Sequence, residues 1–171
     1  MEERKGLVTF GGHPVTLVGD VLQKGEKAPD FVVLNNDLQP THLSDYAGKI
    51  VVLSAVASLD TGVCDTETRK FNEMAAGLGD NVEILTISMD LPFTQKRWCG
   101  AAGVDRVTTL SDSVSADFGT RYGVLMKEFR MLARTVFVVD SKGILRYVQL
   151  LPEVGTEPNY EEVLEAIKAV I

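Results

Sequence analysis

The sequence predicts an α/β protein, a three-layer sandwich with a β-hairpin near its N-terminal end, on three observations. Two near-continuous apolar runs rich in β-branched residues, 50–56 and 82–88, have the make-up of central strands covered on both faces. Between them lies a stretch of helical spacing, so strand and helix alternate as an open α/β sheet requires. Toward both ends, short β segments flank turn-forming clusters, which adds antiparallel hairpins at the sheet edges. With 171 residues, 45% of them apolar, the chain suffices for one ordinary core and falls short of two, so a single domain over 1–171 is expected.

In chain order, Val8-Thr9-Phe10 and Val15-Thr16-Leu17 around Gly11-Gly12-His13-Pro14 predict the first hairpin, over about 7–18. Phe31-Val32-Val33-Leu34 reads as a further strand. After the first central run, 64–78 carries Phe71, Met74, Ala75 and Leu78 on one helical face and Arg69, Lys70, Asn72 and Glu73 on the other, with Gly77 and Gly79 as the stop. Asp60 and Thr61 both suit the N-cap, and the sequence does not choose between them. Further helices are expected over 94–102, 114–122 and 159–170, the last with Val163, Leu164, Ile167 and Val170 on one side. Two apolar segments, 135–139 and 145–149, are joined by Asp140-Ser141-Lys142-Gly143 as a second hairpin.

Charge and composition narrow the function. The net charge is -7 and the basic residues are scattered, so the electrostatic footprint of a nucleic-acid or anionic-membrane binder is missing. No apolar run approaches a membrane span. The opening residues, Met1 to Gly6, mix both charge signs without a signal-like apolar stretch, which makes the cytoplasm the expected compartment. Two cysteines in a reducing compartment point to free thiols or a transient disulfide rather than a permanent staple. His13 and His42 lack partners at metal-ligand spacing, and the glycines form no phosphate loop or dinucleotide fingerprint; no metal, haem, flavin or nucleotide is expected.

The chemistry concentrates on Cys64, which follows a central strand at a helix N-terminus. That position lies in the crevice at the carboxyl end of the strand, where unpaired first-turn amides and the helix dipole favour thiolate over thiol. Asp65 and Glu67 in the same stretch oppose the thiolate, so a cation brought in by the fold is expected. On position alone Cys64 is also readable as a small buried hydrophobe, Cys99 as packing beside Trp98 and Phe93, and Thr61 as a helix cap.

The residues resemble a family, the thiol peroxidases, which are bacterial atypical 2-Cys peroxiredoxins with a thioredoxin-like fold. Ser58-Leu59-Asp60-Thr61-Gly62-Val63-Cys64 is similar to the family's segment around its peroxide-attacking cysteine. Asp90-Leu91-Pro92-Phe93 through Arg97-Trp98-Cys99-Gly100 resembles its resolving-cysteine segment, and Leu132-Ala133-Arg134 the stretch with its active-site arginine. Gly12 to Thr16 and Glu157 to Tyr160 extend the likeness over nearly the whole chain. The resemblance implies Cys64 as peroxidatic nucleophile, Cys99 as resolving thiol through a Cys64–Cys99 disulfide, Thr61 as a hydroxyl on thiolate and peroxide, and Arg134 as the missing cation. It also implies hydroperoxide substrates, thioredoxin as reductant and a homodimer.

Two thiols on separate helices need local unwinding to bond, since a disulfide holds its Cα atoms within about 7 Å. Trp98, Phe93, Leu59 and Met89 are candidates for an apolar collar, with Met89 assigned to the core. The chain departs from the peroxiredoxin pattern at Ala57, where the family has a proline that shapes the cysteine pocket; alanine frees φ and restores a backbone donor. A redox sensor using the same disulfide switch without turnover is the rival reading.

Overall fold

The computed structural model describes residues 1–171. Chain order runs β1 (Glu3–Phe10), β2 (His13–Val18), β3 (Val32–Leu34), β4 (Pro40–His42), a 3-10 turn (Leu43–Tyr46), β5 (Ile50–Ala55), α1 (Gly62–Ala75), β6 (Val82–Ser88), α2 (Pro92–Ala102), β7 (Thr108–Ser111), α3 (Asp117–Arg121), β8 (Leu125–Met126), β9 (Met131–Leu132), β10 (Thr135–Val139), β11 (Leu145–Leu150) and α4 (Tyr160–Lys168). Seven strands make the main sheet in the order β11-β10-β5-β6-β7-β3-β4. The β5, β6 and β7 strands run parallel, and the flanking pairs are antiparallel.

Every residue of β5 is buried because strands pair with it on both edges and side chains cover both its faces. Strand alternation then separates its side chains. Val51, Leu53 and Ala55 pack with Phe31, Phe118, Tyr122 and Phe137, while Ile50 and Val52 pack with Phe71 of α1 and with Val163 and Ile167 of α4. Phe71 has no exposed surface, and burying such a ring is worth roughly 1.5–3 kcal/mol, which fixes α1 against the end of β5. No helix is long and apolar enough to cross a membrane.

Three expectations are revised. The N-terminal hairpin starts at Glu3 rather than near residue 7, with a register shift between Lys5 and Val8. It does not edge the main sheet; it pairs with β8 in a second sheet of order β1-β2-β8-β9. Strands of two residues, such as β8 and β9, carry no period a sequence could reveal. The helix expected over 114–122 contracts to α3, because Ala116 is left-handed at φ 53 and the Asp112 carboxylate takes the amides of Phe118 and Gly119, which starts the helix later. The second sheet bears on function. Its Val8, Val15, Leu17 and Met126 pack with Ala57, Leu59, Cys64, Ala133 and Val154, so it covers the end of the main sheet where Cys64 lies.

Candidate active site

Cys64 is the third residue of α1, and Thr61 rather than Asp60 is the N-cap. The Thr61 Oγ1 accepts from the Cys64 amide at 3.3 Å and donates its own proton to the Ser58 carbonyl at 3.0 Å. The Asp65 amide bonds the Thr61 carbonyl at 2.9 Å, which leaves the Gly62 and Val63 amides without a partner in the chain. The Cys64 side chain is fully covered, packed among Leu59, Met126, Ala133, Val154 and Trp98.

Arg134 arrives from between β9 and β10 and is itself only 1% exposed. Its guanidinium spends three donors on three partners: Nη2 on Cys64 Sγ at 3.1 Å, Nε on the Val154 carbonyl at 2.7 Å, and Nη1 on the Glu67 carboxylate. A planar fork with fixed donor directions suits that task. Glu67 has no exposed surface and accepts a further bond from Ser54 Oγ at 3.1 Å. From the sequence Glu67 is expected only to oppose a thiolate; three residues past Cys64 on one helix face, it instead anchors the arginine that touches the sulfur. Asp65 is occupied as well, accepting from Trp98 Nε1 at 2.9 Å and Arg69 Nε at 3.0 Å, which ties α1 to α2.

The loop before Cys64 is held by Asp90. Its carboxylate accepts from Ser58 Oγ at 2.7 Å, the Leu59 amide at 2.9 Å and Ser88 Oγ at 2.7 Å. Ala57 is buried and its N–H donates to nothing in the chain, so a proline there would cost no hydrogen bond. Rigidity beside Ala57 comes from the Asp90 clamp on the next two residues. That clamp was invisible in the sequence because its parts lie on separate strands and loops.

The structure thus brings Thr61, Cys64 and Arg134 together and leaves Cys99 apart. Both cysteines are free. Cys99, on α2, has its Sγ 3.3 Å from Thr109 Oγ1 on β7. Of the expected apolar collar, Leu59 and Trp98 pack beside Cys64, Met89 packs into the main core, and Phe93 stands 67% exposed. A cavity of about 470 Å³ walled by Lys27, Tyr46, Lys49, Val139 and Lys142 sits at the opposite end of β5 and has no cysteine in its lining.

Burial pushes the Glu67 carboxyl up to about 7, against the opposing pull of Arg134 and Ser54. A carboxyl raised in the folded state stabilises the fold below its unfolded value and loses that contribution as pH climbs through the folded one. The window therefore runs from about 4.5 to about 7. Unfolding free energies of Glu67→Gln and wild type from urea titration, compared at pH 5 and pH 8, are expected to shift in favour of glutamine at the higher pH by up to about 3 kcal/mol. A pH-independent difference would mean that Glu67 does not titrate in that window.

A parallel-centred sheet with a buried, arginine-paired cysteine at the first turn of the helix after a central strand defines a thioredoxin-like thiol protein. The family model described as Redoxin matches residues 23–164. A thiol peroxidase of Oceanobacillus iheyensis is 59% identical over 157 residues, covering 92% of this chain and 95% of its own length. A thiol peroxidase of Bacillus subtilis is 52% identical over 164 residues, covering 96% and 98%. Among solved structures, a peroxiredoxin-like protein from Aquifex aeolicus superposes with a TM-score of 0.90 at 44% identity, over 98% of this chain and 99% of its own. The chain belongs to the redoxin family and, within it, to the thiol peroxidases. It is a thiol-dependent peroxidase of the peroxiredoxin type.

Proposed function

We propose that the chain, a single domain over residues 1–171, reduces hydrogen peroxide and organic hydroperoxides with Cys64 as nucleophile and Cys99 as resolving thiol, and that thioredoxin restores both. The 3.1 Å contact from Arg134 to the Cys64 sulfur carries this reading. A guanidinium at that distance in a covered site, beside the positive end of α1, sets donors around the sulfur and around the oxygens that gain charge. Glu67 and the Val154 carbonyl hold the guanidinium in place, so little reorganisation is needed when charge moves.

In the first step the thiolate attacks one peroxide oxygen; an S–O bond forms, the O–O bond breaks, and the departing oxygen takes up a proton to leave as water or alcohol. Arg134 and the unpartnered Gly62 and Val63 amides are donors for the charge that passes to the oxygens. Thr61 has its proton on Ser58, so toward a peroxide it offers an acceptor for the O–H. The exposed edge formed by Asp60 and Gly62 is the side of entry. Cys99 then condenses with the sulfenic acid, releasing water and protecting Cys64 from irreversible oxidation. Because Cys64 is covered and Cys99 is docked on β7, the first turn of α1 and the Cys99 turn of α2 open for that step.

Thioredoxin reduces the disulfide by thiol exchange, and the compartment is the cytoplasm. Two copies associate as a homodimer, for which the exposed Leu91 (58%) and Phe93 (67%) at the start of α2 supply apolar surface. A steady-state assay with thioredoxin and its reductase tests the assignment of Cys99. Cys99→Ser is expected to oxidise once at the wild-type rate and then stall, with oxygen accumulating on Cys64; full cycling would remove Cys99 from the mechanism.

A further inference from the structure

The resolving thiol is fastened away from its target by side chains that the reaction as described does not use. Thr109 on β7 is 3% exposed, and its Oγ1 lies 3.3 Å from Cys99 Sγ and 3.1 Å from Asn36 Oδ1, to which it donates. A hydroxyl has one proton and two acceptor sites. With that proton committed to Asn36, Thr109 meets Cys99 as an acceptor, and the Cys99 S–H is the donor. This is the single hydrogen bond of the Cys99 side chain. The rest of α2 is fastened on either side of it: Gln95 donates to Ser88 Oγ at 2.9 Å and to the Leu110 carbonyl at 2.8 Å, and Trp98 bonds Asp65. The turn that carries Cys99 is weak by itself, with Gly100 inside it and left-handed Gly103 (φ 67) closing it.

We propose that Thr109, oriented by Asn36, is a positioning residue for the resolving step, holding Cys99 docked on β7 and so setting the rate at which the disulfide closes. The inference rests on the assignment of Cys99 as the resolving thiol. Closure breaks the S–H···O contact, after which the Cys99 sulfur attacks the sulfenic sulfur of Cys64. An S–S bond forms, the S–OH bond of Cys64 breaks, and the hydroxyl leaves as water with the Cys99 proton. Cys99 is oxidised, the sulfenic sulfur is reduced, and no outside oxidant is needed. Since the bond to Thr109 exists before closure and not during it, its loss speeds closure and shortens the time in which a second peroxide can reach the sulfenic acid.

The test is a single turnover of the reduced full chain with one equivalent of hydrogen peroxide, quenched by alkylation and read by mass spectrometry. Thr109→Val is expected to close the disulfide about fivefold faster, the factor for one ordinary hydrogen bond, while Cys64 oxidation keeps its wild-type rate. Thr109→Ser, which retains the hydroxyl, should match wild type in both steps. Asn36→Ala leaves the Thr109 hydroxyl in place but unoriented, so closure should be no faster than in Thr109→Val and no slower than in wild type. At excess peroxide the sulfinic fraction on Cys64 should fall in Thr109→Val. Closure that is unchanged or slower in Thr109→Val, with Cys64 oxidation intact, overturns the inference and leaves Cys99 as resolver. No Cys64–Cys99 disulfide in the wild type overturns the resolving assignment and the inference together.

Discussion

Arg134→Met is expected to lower the rate of Cys64 oxidation by roughly a hundredfold to a thousandfold, the usual effect of removing one preorganised donor from a developing charge. The arginine contacts the sulfur itself, and no other cation is bonded to it. The same substitution removes the partner of Glu67, which has no exposed surface, and above the pH at which that carboxyl ionises, breaking one side of the buried pair costs about 3–5 kcal/mol. Activity and stability would therefore fall together and could be confused. Glu67→Gln in the same chain removes the stranded charge, so the double variant should recover most of the stability and none of the rate. Stopped-flow oxidation beside urea unfolding separates the two. Recovery of rate in the double variant would show that Arg134 acts only through folding.

Cys64→Ser should abolish turnover altogether while the fold persists. A serine hydroxyl is far less acidic than a thiol and is not ionised by a guanidinium and a helix end at neutral pH, so no nucleophile remains. The change is nearly isosteric, and Arg134 Nη2 and the neighbouring helix backbone give the new hydroxyl hydrogen-bonding company, which limits the structural cost. Peroxide consumption at background level with an unchanged unfolding midpoint is the expected pair of results. Consumption above background would place the nucleophile elsewhere, and Cys99 is then the one remaining thiol.

Much of this site was legible in the sequence because its first half is local. The strand 50–56, the cap residues Asp60 and Thr61, and the spacing to Cys64 all belong to one strand-to-helix turn, and β5 and α1 formed where the apolar pattern put them. Arg134 became visible only through the family likeness, since a lone arginine before a strand has no period or spacing of its own. Glu67 was visible as a residue and misjudged in role: its partner lies 67 positions away, and only the fold shows that its charge faces a guanidinium. The Asp90 clamp and the Thr109 contact on Cys99 are of the same kind, side chains joined across strand ends by tertiary packing.

The fold follows the same division. Long central strands and amphipathic helices announce themselves by periodicity, and α4 was expected within two residues of its ends. The second sheet did not, because β8 and β9 are two residues each and gain their identity from pairing with the N-terminal hairpin. That sheet matters to the chemistry, since its apolar face covers Cys64. Burial of the Cys64 sulfur under a hairpin far away in sequence is a tertiary property.

The most direct measurement is the site of first oxidation at limiting peroxide. Reduced wild-type protein is mixed with a tenth of an equivalent of hydrogen peroxide, alkylated at once, and mapped by mass spectrometry beside Cys99→Ser treated in the same way. Oxygen retained on Cys64 in the variant, and a Cys64–Cys99 disulfide in the wild type, is the result expected from a sulfur held by Arg134 at the first turn of α1. Oxidation that begins on Cys99, or falls equally on both thiols, would contradict it.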